Sequence, residues 1–376
     1  MHNFLQLSIP SKIALFISLS CFLSLIIAIA GGSEFQFTDV NDVLVLLRLF
    51  IITVAVRSYV HSVIDIQKIL LFFYTSIFIS VVIAALQYFN AGPLAESLTS
   101  LYSEGDSYLK SYSLPINLLR VVSTFGNPNE TALFFTLGSL CSIYAITNRI
   151  GHISCNIAIL FTFIIILVFA TGSRSGVIIF IISIISYLFS NTLLSNKNYR
   201  LYYPFILIIL IISLSIIFNL SFIENIQVPS RLMDLFSDGH FGTNIYEAMI
   251  KSRIYVWTYS ITQIQYYGQY LVGNGPGPGF VIDSEYLYVL FTQGMVGLIL
   301  YIMFLFYPIL SSIKIWSNEF IHIASFTLAA VLSFAIYAVL APVIYSAKAG
   351  PALAFIIGLW VVLLKLENNH SECKIE

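Results

Sequence analysis

Charge is the scarcest property of this sequence. Lys, Arg, Asp and Glu make up 9% of its 376 residues, where soluble domains carry about 25%. So few charges could not cover a water-soluble fold of this length. In lipid the sign of the cost reverses, because a charged side chain near the bilayer centre costs roughly 2.5–3.5 kcal/mol on insertion scales. Excess positive charge is missing too. The formal net charge is −1, which argues against a nucleic-acid partner. Cysteine is sparse: Cys21, Cys141, Cys155 and Cys373 have neither CxxC spacing nor His partners. Neither a disulfide framework nor a zinc site is read from them. No compact acidic cluster demands a metal either.

Apolar residues fill the space that charge leaves. They make up 59% of the chain, and the mean hydropathy is +0.92. A membrane helix needs about 20 such residues. The apolar runs predict an all-α, polytopic membrane protein of ten spans: Ile13–Ala30, Val43–Val56, Ile69–Phe89, Glu130–Thr147, Ile153–Ala170, Val177–Phe189, Tyr202–Asn219, Tyr286–Phe306, Ile321–Leu340 and Ala352–Leu364. The second and sixth are short and extend into their flanks. Ala28-Ile29-Ala30 resembles a signal-peptide cleavage site. The apolar run before it is long for a signal, however, and nine further spans follow.

Lys and Arg set the orientation. With the N-terminus in the cytoplasm, Lys12, Arg57, Lys68, Arg149, Lys197, Arg200, Lys314, Lys365 and Lys374 all fall inside. Both termini are then cytoplasmic. The outer loops are acidic, with Glu34, Asp39, Asp42, Glu96, Glu104 and Asp106 first, and Glu224, Asp234, Asp238 and Glu247 later. Arg48 is the one basic residue left inside a span; it snorkels or pairs within the bundle. Two outer segments are too long to be turns, residues 90–123 and residues 220–283. Long loops beside short ones usually carry function, so recognition or chemistry is expected on the outer face of a single integral membrane domain, 1–376.

The large loop has a helical stripe in Ile250, Ile254, Trp257, Ile261 and Ile264, the spacing of one apolar helix face. Arg253 sits at its edge. Such a helix lies on the interface, with Arg253 either solvated or on a lipid phosphate. Gly273-Asn274-Gly275-Pro276-Gly277-Pro278-Gly279 follows. No βαβ pattern surrounds it, so it reads as a tight passage back to the membrane and not as a dinucleotide loop. Asp283-Ser284-Glu285-Tyr286-Leu287 then opens a span, where acids favour a helix start on general grounds. Arg120 precedes Phe125-Gly126-Asn127-Pro128-Asn129-Glu130, and Thr171-Gly172-Ser173-Arg174-Ser175-Gly176 forms an outer hairpin. Arg120, Arg174 and Arg253 are thus three cations on the face the charge rule would leave acidic. Arginine's planar donor fork matches phosphate oxygens, which suggests a pyrophosphate head group. Tyr255, Tyr259, Tyr266, Tyr267 and Tyr270 suit sugar faces or an interfacial belt.

These pieces, with Gly294-Met295-Val296-Gly297 after them, occur in an order that resembles the O-antigen polymerase and O-antigen ligase superfamily, from about the third span to the eighth. The resemblance implies a GT-C-like glycosyltransferase fold in the bacterial inner membrane, acting at its outer face in lipopolysaccharide or other surface-polysaccharide biosynthesis. It implies a substrate carried on undecaprenyl pyrophosphate, and a chain-length regulator and a flippase as partners. By motif, Arg174 and Arg253 would hold the pyrophosphate; Arg120 matches by position only. In the ligases a His opens the motif that here reads Asp283-Ser284-Glu285-Tyr286-Leu287, and Asp283 in its place favours the polymerase branch. The expected reaction is metal-independent and needs no cofactor. A growing glycan leaves its carrier and joins a sugar hydroxyl of a new lipid-linked unit. Asp283 or Glu285 would act as base. At helical spacing the two point about 200° apart, so one of them faces the site, and Asp283 is preferred. The rival readings are a ligase-type glycan transferase and a lipid-linked oligosaccharide flippase. A transporter would show repeated halves and midplane charges, and no clear repeat is present.

Overall fold

The computed structural model describes residues 7–32, 36–89, 92–102, 121–147, 154–194, 252–267, 269–277, 282, 284–312, 320–346 and 348–372. Among them are eleven helices: α1 (Ile9–Ala30), α2 (Phe37–Tyr59), α3 (Val63–Tyr88), α4 (Pro93–Tyr102), α5 (Pro128–Thr147), α6 (Ser154–Ala170), α7 (Arg174–Leu194), α8 (Ser252–Tyr267), α9 (Glu285–Ser311), α10 (Ile321–Leu340) and α11 (Ala349–Glu372). No strand occurs among the described residues.

Seven segments are long and apolar enough to cross a membrane, and the chain is a polytopic membrane protein. They correspond to seven of the ten expected spans. Two more expected spans are helices of another kind. The described α6 has 17 residues, and α2 carries Asp39, Asp42, Arg48 and Arg57 along its 23 residues. The tenth expected span, Tyr202–Asn219, lies outside the described residues. The outward faces agree with lipid. Phe16, Leu19, Phe22, Leu23 and Ile26 form an exposed apolar stripe on α1, and Phe72 is 78% exposed on α3. Water would penalise such contiguous apolar surface.

The chain divides into two compact units. The first comprises Met1–Ile66, Lys251–Phe320 and Ala330–Glu376; the second comprises Gln67–Ile250 and Ile321–Ala329. In the first unit α2 packs on α11, where Gly358 lies so close to Val56 that an added Cβ would fall 2.8 Å from its Cβ. Small residues let membrane helices approach to this distance, because packing rather than hydrophobicity holds them together. Trp360, fully buried, donates its indole N–H to Ser311 Oγ at 2.7 Å. In the second unit Gly138 plays the same part against Ile77, and Gly176 against Ala132.

The expected span Tyr286–Phe306 is not a straight helix. Gly294 breaks α9 with φ +67° and ψ −165°. In an unbroken helix Tyr286 and Tyr301 would lie about 22 Å apart along the axis. Their ring centroids are 5.6 Å apart, so the helix bends sharply at Gly294. The arm after the break, 295–311, is about 25 Å long, which is near the lower limit for a span.

The large-loop helix also differs from expectation in its buried face. On α8, Ser260 and Ile264 are buried while Ile261 is exposed. The apolar stripe therefore does not pack as one face. Ile264 instead joins Ile282 and Phe291, with Leu287, Tyr288 and Leu290 against them. Ile261, Tyr259 and Tyr266 face outward, as interfacial residues do.

Candidate functional site

In the second unit two sequence motifs 44 residues apart meet at the starts of two helices. Asn127 caps α5: its Oδ1 accepts the Asn129 N–H at 2.9 Å, and its carbonyl accepts the Thr131 N–H at 2.9 Å. Ser173 caps α7, accepting the Gly176 N–H at 3.0 Å, and it donates to Asn129 Oδ1 at 2.8 Å. Phe125 stacks on Phe134 with centroids 4.0 Å apart. Gly126 turns the chain with φ +77°, a conformation that L side chains adopt at a cost of about 1–2 kcal/mol. The glycine at 176 is needed because Ala132 fills the space a side chain would take. Arg174 is the first residue of α7. Both helix starts present the positive end of a macrodipole, which favours anions.

In the first unit the glycine-rich passage does more than return the chain to the membrane. A broken helix leaves backbone donors and acceptors unsatisfied, and in lipid each orphan costs several kcal/mol. Residues 270–275 supply the partners. Asn274 and Gly275 donate their N–H groups to the carbonyls of Phe291 (2.8 Å) and Thr292 (3.2 Å); Met295 and Val296 donate to the carbonyls of Tyr270 (2.8 Å) and Leu271 (3.3 Å). The two backbones touch, so glycine is required on both sides. A Cβ on Gly273 would strike the backbone of Thr292, Gln293 and Gly294, and one on Gly294 would strike Leu271. From α1, Ser24 donates to the Thr292 carbonyl and accepts the Gly275 N–H at 2.9 Å.

Around this joint lies a polar chain. Ser20 donates to Gln293 Oε1 at 2.6 Å, and Gln293 Nε2 donates to the Tyr345 hydroxyl at 2.7 Å. The Tyr345 ring lies against Tyr288, with centroids 4.5 Å apart. The Tyr288 hydroxyl donates to Asp42 Oδ2 at 3.2 Å. Asp42 is half-buried and stands just outside the span Val43–Val56. Burial raises its carboxyl above the usual carboxylate range; the Tyr288 hydrogen bond opposes that, and the charge of Asp39 adds to it.

The other carboxylates here each accept a backbone amide, and Glu285 keeps one buried oxygen, Oε1, without a hydrogen-bond partner. Asp39 is buried and accepts the Gln36 N–H at 2.9 Å, closing a capping box at the start of α2. Glu285 is fully buried, and its Oε2 accepts the Val343 N–H, with the Ile344 amide also facing it. Tyr286 beside it donates to the Ala335 carbonyl at 2.9 Å. The start of α9 is thereby fastened to residues 335–344. We expect Glu285→Ala to lower stability by about 2–4 kcal/mol, because it orphans buried amides. Glu285→Gln, which keeps an acceptor oxygen, should cost less than half as much. Thermal unfolding of both variants in detergent checks this, and equal losses would refute the anchoring role.

Of the site residues expected from sequence, Glu285 is placed in full. Arg174 lies in the second unit and Arg253 on α8 of the first; their side chains are outside the description. Arg120 and Asp283 lie outside the described residues. Sequence reasoning listed Asp42 only as one of several outer acids, since its tie to Tyr288 joins positions 246 residues apart. It also missed the break at Gly294, although two glycines three apart inside an apolar run were a usable signal. No protein-family model, no curated protein and no solved structure matches the chain.

Proposed function

We propose that the protein is a surface-polysaccharide polymerase of the O-antigen polymerase kind, with a GT-C-like fold. It joins undecaprenyl-pyrophosphate-linked oligosaccharide repeat units at the outer face of the bacterial inner membrane, with both termini in the cytoplasm. The observation that carries this reading is the junction of Asn129 with Ser173. It draws together two motifs of the resemblance at two helix starts, and Arg174 opens one of them. That combination suits a pyrophosphate. Arg174 and Arg253, with Arg120 beside them in the sequence argument, supply the guanidiniums. They neutralise charge developing on the leaving pyrophosphate, where fixed positive groups help most. A carboxylate takes the proton of the attacking hydroxyl; Asp283 and Glu285 are the sequence candidates. No metal is required in this scheme.

One observation favours a second reading. Broken helices are common in transporters, where the freed carbonyls coordinate ions. In α9 the carbonyls of Phe291 and Thr292 are taken by the amides of Asn274 and Gly275, so the break serves as a packing joint. This returns the balance to the polymerase.

The glycan profile of a deletion strain separates the readings. Surface lipid capped with a single repeat unit is the result we expect. Uncapped surface lipid with polymer accumulating on its carrier would instead indicate a ligase. Lipid-linked units trapped on the cytoplasmic side would indicate a flippase.

A further inference from the structure

Among the described residues, a chain of hydrogen bonds and ring contacts runs from Gln293, beside the break in α9, to one carboxylate. We propose that Asp42 is the catalytic base that accepts the proton of the attacking sugar hydroxyl. The inference rests on the polymerase reading and deepens it.

The carboxylate of a base must have a free oxygen lobe, a fixed direction and access to substrate. Glu285 keeps Oε1 without a hydrogen-bond partner, but it is fully buried away from substrate, and its Oε2 is turned onto the Val343 amide. Asp39 is buried and turned onto its own capping box. Asp42 stands one helical turn beyond Asp39 and is partly exposed. Its hydrogen bond comes from a side chain, the Tyr288 hydroxyl on Oδ2.

Direction comes from a braced chain. Tyr288 is held against Tyr345. Tyr345 is held by Gln293 and by Thr292, whose hydroxyl lies 3.3 Å from that of Tyr345. Gln293 is held by Ser20. Thr292 and Gln293 are the last residues before the break, and the break is closed by residues 270–275. The glycine passage, the start of α9 and the Gly294–Gly297 turn thus serve a carboxylate that none of those motifs contains. A group oriented through three separate chain segments is preorganised in the way catalytic groups require. Among the described residues, the titratable groups facing Asp42 are Asp39 on its own helix, Tyr288 and Glu285 on α9, and Cys21 on α1.

The step balances. The acceptor hydroxyl oxygen forms a bond to the anomeric carbon of the growing glycan. The bond from that carbon to the pyrophosphate oxygen breaks, and its electron pair leaves with the pyrophosphate. The hydroxyl proton passes to the Asp42 carboxylate and then to water.

The test uses the full-length protein in phosphatidylethanolamine–phosphatidylglycerol liposomes. The probe is lipid-linked repeat unit extracted from the deletion strain. Asp42→Asn should lower kcat by about 100-fold or more, with KM within about threefold. Asp42→Glu should recover part of the rate, which separates lost chemistry from lost folding. Tyr288→Phe removes the donor that favours the ionised carboxylate. The acid limb of its rate profile should therefore move up by about one pH unit, since the base then protonates at higher pH. A rate for Asp42→Asn within threefold of wild type would overturn the assignment while leaving the polymerase reading intact. So would an acid limb that Tyr288→Phe does not move. Wild-type protein that makes no polymer from this substrate would overturn both.

Discussion

Arg174→Ala and Arg253→Ala should each abolish chain extension while the protein still inserts in the membrane. The expected loss is at least about 100- to 1,000-fold, the range seen when one fixed donor is removed from a developing anion. The reason is the leaving group. A pyrophosphate departs with charge that water stabilises poorly at a lipid interface, so a positioned guanidinium acts mainly on the transition state. Lysine should rescue little, because it keeps the charge and loses the two-pronged donor geometry. For Arg174 the α7 helix start keeps its positive end in the Ala variant, so this loss should fall at the lower end of the range. The measurement is the length distribution of surface glycan in a complemented deletion strain, read beside the amount of membrane-inserted protein. Long-chain glycan at wild-type levels from both variants would end the pyrophosphate assignment.

The second large effect concerns the joint in α9. Gly294→Val and Gly273→Val should destabilise the first unit by about 3 kcal/mol or more. Two costs combine. Both positions have positive φ, +67° and +86°, which a branched side chain adopts poorly. Both also face backbone that cannot move aside, Leu271 in one case and Thr292–Gly294 in the other. Gly92→Ala is the control: its φ is +64°, yet nothing lies within 4 Å of an added Cβ. It should cost only the conformational part, about 1 kcal/mol. Thermal unfolding in detergent gives the ranking. If Gly92→Ala proves as costly as the joint variants, the contact across the break is not what requires glycine.

Particular residues mark how far the sequence could be read. The membrane character was plain from 9% charge, because lipid imposes one rule on every residue of a span. Helix positions were plain for the same reason. Expected and observed limits agree closely for Glu130–Thr147 against Pro128–Thr147, and both limits match for Ile321–Leu340. The motifs were visible as motifs. What each one touches was not. Asn129 and Ser173 are each ordinary helix-start residues, and only their meeting across 44 positions makes them a shared corner. Glu285 looked like an ordinary acid at a helix start, but it is fully buried and the amides of Val343 and Ile344 face it. Ile261 fitted an apolar stripe and yet faces outward, because the partner surface of α8 is set by Ile282 and Phe291.

The sequence by itself determined the solvent of this protein, its helical class and the positions, though not the lengths, of most described helices. These follow from local properties: hydropathy along the chain, backbone freedom at single residues, and the need of each helix to satisfy its own hydrogen bonds. The tertiary structure alone decided that α9 bends at Gly294, that residues 270–275 fill the gap, and that Asp42 rather than Asp39 or Glu285 is left partly exposed beneath a phenol. Those outcomes depend on which distant backbone groups and side chains compete for the same donor. No local property of the chain encodes that competition.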